Sequence, residues 1–147
     1  MNRRSLLKAG ASLLGLAVLI PLKALAAVWN KAAFESTSVE GALQGLQATQ
    51  IGPSRDIVLV APQLAENGAI VQIEVESRIP GTEAIAILSE KNPTPLIANF
   101  VFAAAAEPYI VTRIKMAETS ELKAIVKAGG KYYSVSRKVE VAIGGCD

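Results

Sequence analysis

The sequence predicts an all-β protein: an antiparallel two-sheet β-sandwich with a short N-terminal helix. Three observations predict it. Short stretches rich in valine and isoleucine recur, among them DIVLVA (56–61) and AIVQIEVES (69–77). Turns built from proline, glycine and asparagine separate them about every 8–14 residues, close to sandwich spacing. The link between EAIAILSE (83–90) and LIANFVFA (96–103) is too short to hold a crossover helix, so a parallel α/β sheet is disfavoured.

The elements follow in order. In NKAAFESTSVEGALQGLQA (30–48), Val39, Ala42, Leu43 and Leu46 recur at helical spacing. Ser36 or Ser38 supplies an N-cap. Gly41 and Gly45 weaken this helix, each by about 1 kcal/mol relative to alanine. DIVLVA is a short strand between Pro53 and Pro62. In AIVQIEVES, Val71, Ile73 and Val75 face one way and Gln72, Glu74 and Glu76 the other, the alternation of a half-buried strand. AENGA (65–69) reads as a tight turn, with Asn67-Gly68 able to take positive φ. IPG (79–81) and KNPTP (91–95) are turns flanking the strand at 83–90. Strands at 96–103 and 109–116 follow. SELKAIVKA (120–128) fits a helix and a strand about equally. After Gly129-Gly130, Val135, Val139, Val141 and Ile143 share one parity, the inward face of a last strand. Tyr132 and Tyr133 point to opposite sides of it. No Cys…Trp…Cys pattern spans the sheets, so the core rests on aliphatic packing, at about 25 cal/mol per Å² buried.

The chain has 147 residues and reads as one domain, 27–143, behind a separate leader. Residues 1–26 carry Arg3, Arg4 and Lys8, an apolar run from Ala11 to Leu22, and Ala24-Leu25-Ala26 at a cleavage position. This is an export signal, and its paired arginines give it the twin-arginine form. The formal net charge is +2, but the leader holds four of the 15 bases and no acid. Its removal leaves 11 bases against 13 acids, a net charge of −2. No nucleic-acid partner and no membrane-inserted segment of the mature chain are expected. A periplasmic location is.

The chemistry is narrowed by what is missing. The chain contains no histidine. Imidazole zinc sites, Ser-His-Asp triads and Cys-His pairs are therefore excluded. No glycine-rich phosphate loop opens a helix. The acids are scattered singly, and no metal site or cofactor is expected.

One cysteine remains, Cys146, behind Gly144-Gly145 and before Asp147. It has no intramolecular disulfide partner. In an oxidising compartment such a thiol is either inert or used between molecules. Its neighbours are Asp147 and the chain's own carboxylate, which disfavour the thiolate. A self-sufficient catalytic cysteine is not expected. A handle activated by another protein's site is. The two glycines bring no side chain and wide backbone freedom, so residues 144–147 read as a flexible arm, about 13 Å long from Ile143. A functionless terminal thiol on a partner-binding or assembly module is the competing reading. A thiol redox enzyme fits poorly without a CxxC. Arg113 and Lys115 in TRIK lie on one strand face opposite Ile114. They are candidates for steering anions or partners, against the plainer reading of a solvated face.

At this tail the chain resembles a family. APQLAENGAIVQIEVES (61–77), EKNPTPLIANFVF (90–102), TRIKMAETSELKAIVKAGGKYY (112–133) and KVEVAIGGC (138–146) are together similar to SoxY, the sulfur-carrier subunit of the bacterial thiosulfate-oxidising system. The resemblance covers the mature chain. It implies an immunoglobulin-like sandwich, a heterodimer with a SoxZ-like β-sandwich subunit, and sulfur carried covalently on Cys146. It further implies three enzymes that visit the carrier: a haem-containing enzyme that conjugates thiosulfate, a dimetal hydrolase that releases sulfate and, where present, a molybdenum enzyme that oxidises the remaining sulfane sulfur. The carrier itself catalyses nothing. The family's usual ending is Gly-Gly-Cys-Gly-Gly. Here it is Gly-Gly-Cys-Asp, which sets a negative charge beside the reacting sulfur.

Overall fold

A computed structural model of the chain describes residues 29–145. The expected export signal lies outside the described residues, and so do Cys146 and Asp147.

Two short helices begin the described chain, where the sequence predicted one. α1 spans Lys31–Phe34, and the Asn30 side chain caps it by accepting from the Ala33 N–H at 3.2 Å. α2 spans Val39–Gly45, with Ser38 as the cap of the two candidates, accepting from the Gly41 N–H at 3.1 Å. Gly45 weakens helix propensity but lets α2 cross α1. A methyl group there would sit 2.6 Å from the Ala33 backbone. Close packing outweighs propensity at that position.

The strands are β1 (Ile51–Pro53), β2 (Ile57–Val60), β3 (Leu64–Ala65), β4 (Val71–Ser77), β5 (Thr82–Ser89), β6 (Leu96–Val101), β7 (Tyr109–Ile114), β8 (Ser120–Ala128) and β9 (Lys131–Val141). They form two sheets. The larger runs β1-β9-β8-β5-β6, with β3 also on β9. The smaller runs β2-β4-β7. The antiparallel expectation holds for every long pairing, including β5 with β6. The exceptions are β1 and β3, which pair parallel with opposite ends of β9. They have three and two residues, too few to show a period. β1 ends on Pro53, tolerated because an edge strand need not donate there.

Between the sheets lies an aliphatic core. β4 contributes Val71, Ile73 and Val75, all buried, and turns Gln72, Glu74 and Glu76 outward as its alternation predicts. β5 and β8 answer from the other sheet with Ile85, Ile87, Leu122 and Val126. A second cluster explains the ambiguity of SELKAIVKA. Ile125 on β8, with Ala86, Leu88 and Leu96, packs under α1 and α2 on the outer face of the larger sheet. β8 is therefore buried on both faces, and a strand of that kind loses its alternation. Tyr132 and Tyr133 do point to opposite sides. Tyr132 packs on the helix-side cluster and donates to the Leu46 carbonyl at 2.9 Å, while Tyr133 packs on the inter-sheet core.

Ile143 corrects the inward parity expected for the last strand. β9 ends at Val141, and Ile143 is 68% exposed. Val139 is fully buried, so the parity holds up to the point where pairing stops.

At the opposite end, Glu83 accepts from the Gly130 N–H at 3.2 Å and pairs with Lys127 at 3.3 Å. The Gly130 hydrogen bond first, and Lys127 second, hold its carboxyl below the ordinary value. A lowered carboxylate stabilises the fold above its unfolded pKa, about 4.3. That contribution fades as pH falls through the lower folded value. Glu83→Gln should therefore narrow the gap in Tm from the parent as pH drops from 6 to 3, in thermal melts followed by circular dichroism. A constant gap over that range would show that the carboxylate charge contributes nothing.

Candidate functional site

The tail meets the body at one end of the sandwich, where three backbone segments are tied together. The turn at 65–69 comes first. Asn67 Oδ1 accepts from the Ala69 N–H at 2.8 Å and shapes it. The segment after β7 comes second. The Met116 N–H donates to the Gly68 carbonyl at 2.8 Å, and Met116 is fully buried. The tail comes third. The Ala142 N–H donates to the Ala65 carbonyl at 3.0 Å, the Gly68 N–H to the Ile143 carbonyl at 2.7 Å, and the Gly145 N–H to the Met116 carbonyl at 3.1 Å. Thr119 Oγ1 accepts from the Val141 N–H at 2.9 Å just before the strand ends.

The glycines here serve close approach. A methyl group at Gly68 would collide with the Met116 carbonyl oxygen and sit 2.9 Å from Val141 Cγ1. One at Gly145 would run into the Gly68–Ala69 backbone, and one at Gly144 into the Ala117 carbonyl. The sequence suggested positive φ at Asn67-Gly68. Positive φ among the described residues occurs instead at Gln47, Gly81, Gly129 and Gly130. Gly144 and Gly145 were expected to swing free. In this structure they pack against the body, and the hydrogen bonds to it continue as far as Gly145.

Arg113 and Lys115 are both exposed on the side of the chain opposite buried Ile114, as the strand pattern requires. Lys115 directly precedes Met116, the residue that receives Gly145. Arg113 faces Gln72 across the β4–β7 ladder. Both line a surface groove with Asn92, Leu96, Ile97 and Trp29, whose ring stacks on Phe34 at 4.3 Å between centroids. Lys115 is thus next in sequence to the residue that receives Gly145, and with Arg113 it lines the groove at Trp29 and Asn92.

Three contributors escaped the sequence reading. Composition marks Asn92 only as part of a turn. Its side chain donates to the Lys115 carbonyl and accepts from the Ala117 N–H, both at 2.8 Å, and so braces the segment under the tail. Gly68 sat in a stretch singled out as a tight turn, but the reason for a glycine there is steric and lies 48 residues away, at Met116. Met116 itself acts through its carbonyl, for which no sequence signal exists. Among the described residues no group of three or more metal-ligating side chains occurs, and no helix is long and apolar enough to cross a membrane.

The class that fold and site define is an immunoglobulin-like β-sandwich that ties residues 142–145 to its body by backbone hydrogen bonds. The family model described as "Sulfur oxidation protein SoxY" matches residues 43–146, and the chain belongs to that family of periplasmic sulfur carriers. Among solved structures it is similar to the sulfur carrier protein SoxY from Chlorobium limicola f thiosulfatophilum, at 36% identity and a TM-score of 0.64, covering 71% of this chain and 94% of that one. It is also similar in fold to a variant of the superoxide reductase (neelaredoxin) from Ignicoccus hospitalis, at 16% identity and a TM-score of 0.51, covering 58% of this chain and 78% of the other. At that identity the likeness concerns the immunoglobulin-like sandwich alone. No curated protein matches the chain.

Proposed function

We propose that this protein carries sulfur intermediates as covalent adducts of Cys146 and presents them to partner enzymes while paired with a SoxZ-like subunit. The observation that carries this reading is the seat: the body receives Gly144 and Gly145 by backbone contact, directly before the one cysteine in the chain. In the loading step, the Cys146 thiolate and the outer sulfur of thiosulfate join in an S–S bond. Two electrons leave to the haem-containing partner. In the next step water attacks the sulfonate sulfur, sulfate departs, two protons are released and the persulfide stays on Cys146. The dimetal hydrolase would catalyse that step. A molybdenum enzyme, where present, would oxidise the remaining sulfane sulfur.

Residues 144–147 are the arm in this reading: Gly144 and Gly145 lie against the body, and the arm extends to meet a partner. Extension gives up the Gly68–Ile143 and Gly145–Met116 hydrogen bonds, about 1 kcal/mol net each. A deficit of about 2 kcal/mol leaves roughly one molecule in thirty extended at rest. A partner channel that binds the freed glycines would supply the difference.

Arg113 and Lys115 steer the thiosulfate dianion and offset the charge of Asp147 in this reading. Steering of this kind is strong at low salt and screened at high salt. The double variant Arg113→Glu/Lys115→Glu should lower the loading kcat/KM about fivefold at 10 mM ionic strength, and by less than twofold at 1 M. An equal loss at both strengths would remove steering as the cause.

Intact mass after incubation with thiosulfate and the haem-containing enzyme tests the whole reading. A gain of one thiosulfate unit is expected, and reductant should reverse it. The competing reading is an assembly module with an incidental thiol. It predicts an unchanged mass.

A further inference from the structure

We propose that Asn92 is the positioning residue for the tail, and that by aiming the two peptide groups on either side of the Met116 α-carbon it sets what share of the protein holds its tail ready for an enzyme; this rests on the carrier reading above. Each of those peptide groups is held at both ends. In the group that joins Lys115 to Met116, the Lys115 carbonyl accepts from Asn92 Nδ2 at 2.8 Å, and the Met116 N–H donates to the Gly68 carbonyl at 2.8 Å. In the group that joins Met116 to Ala117, the Ala117 N–H donates to Asn92 Oδ1 at 2.8 Å, and the Met116 carbonyl accepts from the Gly145 N–H at 3.1 Å. A trans peptide group is planar and stiff, with its C=O and N–H pointing opposite ways. Fixing one end therefore aims the other. Asn92 holds one end of each plane, and the turn and the tail take the two ends that remain.

The chemistry of the side chain fits this task. A carboxamide offers a donor and an acceptor side by side, as a peptide group of a neighbouring strand would. An ionised aspartate offers acceptors alone, and alanine offers neither. The turn that carries Asn92 is itself anchored. The Asn92 N–H donates to the Ser89 carbonyl at 3.2 Å, and the Ser89 N–H to the Pro95 carbonyl at 2.9 Å. Ser89 and Pro95 are fully buried, and the Ser89 hydroxyl bonds that of Ser120 at 2.9 Å. Pro93 further restricts the backbone of the residue before it. A fixed point in the core is thus linked through one side chain to the acceptor of the tail. Without the carboxamide the Met116 carbonyl is free to turn from Gly145, and the balance moves toward the extended tail. One net hydrogen bond corresponds to about a fivefold change in that balance. The extended share rises from about one molecule in thirty to about one in six, and the apparent affinity of an enzyme that binds the extended tail rises in proportion.

Asn92→Ala and Asn92→Asp test this, read first by amide exchange in NMR. In Asn92→Ala, exchange at Gly145 should rise about fivefold. Ala142, whose N–H is held by the Ala65 carbonyl and not by Met116, should stay within about twofold of the parent. Unchanged exchange at Gly145, or an equal rise at Ala142, overturns the proposal. Asn92→Asp adds a readout that a general loss of packing would not move. At pH about 6.5 its carboxylate cannot donate to the Lys115 carbonyl, and Gly145 should exchange faster than in the parent. At pH about 3 the protonated carboxyl again offers one donor and one acceptor, and the ratio to the parent should return toward one. Glu35, Arg113 and Lys115 line the same groove, and Glu90 and Lys91 adjoin Asn92 in the turn; all five are present in the parent, so the ratio removes their own titration. A ratio that does not change with pH overturns the pairing. The second measurement is loading by the haem-containing enzyme. Asn92→Ala should lower the KM for the carrier about fivefold and leave kcat unchanged. A raised KM or a lowered kcat overturns the role of the seat in holding the tail back. A parent protein that gains no adduct defeats the carrier reading, whereas the exchange measurements need no thiosulfate and judge Asn92 separately.

Discussion

Under the carrier reading proposed above, Cys146→Ser is expected to abolish sulfur loading completely and to leave the protein folded and co-eluting with the proposed SoxZ-like subunit. The chain has one cysteine, so no second thiol can replace it. A hydroxyl in its place cannot form the S–S bond on which the adduct depends. The expected cost to stability is small. The last strand ends at Val141, and the fully buried side chains that hold the sheets together, such as Ile73, Ile85, Ile87 and Leu122, lie far earlier in the chain. Burying each of those is worth about 1.5–3 kcal/mol. A single substitution outside such features stays within about 0.5 kcal/mol. The check has three parts: intact mass after incubation with thiosulfate and the haem-containing enzyme, the Tm, and co-elution with the SoxZ-like subunit. Loss of the mass gain alone fits a covalent carrier. An adduct that persists in Cys146→Ser would place the sulfur elsewhere. Loss of pairing together with loading would make the residue structural and favour the assembly reading.

The sandwich was legible wherever one face of a strand is wet. AIVQIEVES alternates because β4 packs on the core with one face and meets solvent with the other, and its outward glutamates stand where the period puts them. SELKAIVKA was ambiguous for the opposite reason. β8 lies between β5 and β9 with helices above and the smaller sheet below, so both faces are apolar and the period of two is erased. β1 and β3 were illegible because two or three residues carry no period. Their pairing is set by the long edge that β9 offers. The seat was half legible. Composition marked AENGA and KNPTP as turns and the tail as glycine-rich. What it could not mark is that Gly68, Met116 and Gly145 meet. Those contacts are between backbone atoms of residues far apart in sequence, and a backbone atom leaves no trace in residue type. The one trace is negative: a glycine wherever a side chain would collide. Freedom and close approach both ask for glycine, and sequence alone cannot separate them.

Gly68→Ala should separate them, with the second largest effect expected here. Residue 68 does not take positive φ in this structure, so alanine meets no backbone conformational penalty. The penalty is steric. The new methyl group would collide with the Met116 carbonyl oxygen, the acceptor for Gly145, and would lie 3.0 Å from the Gly145 nitrogen. Backbone on both sides cannot give way as the end of a flexible side chain can. The tail should therefore leave its seat, losing the Gly68–Ile143 and Gly145–Met116 bonds, about 2 kcal/mol together. Amide exchange at Gly145 should rise roughly thirtyfold by NMR, the factor that 2 kcal/mol sets. Gly52→Ala is the matched control. Gly52 lies on β1 with nothing within 4 Å of an added methyl, so its substitution should leave Gly145 protected. Gly145→Ala attacks the same contact from the other side, through the Gly68–Ala69 backbone. Two substitutions that undo one contact cannot each cost its full value when combined. The double variant should exchange no faster than either single variant. Additive increases would mean that the two glycines act independently, and a protected Gly145 in Gly68→Ala would mean that the tail is not held at Met116 at all.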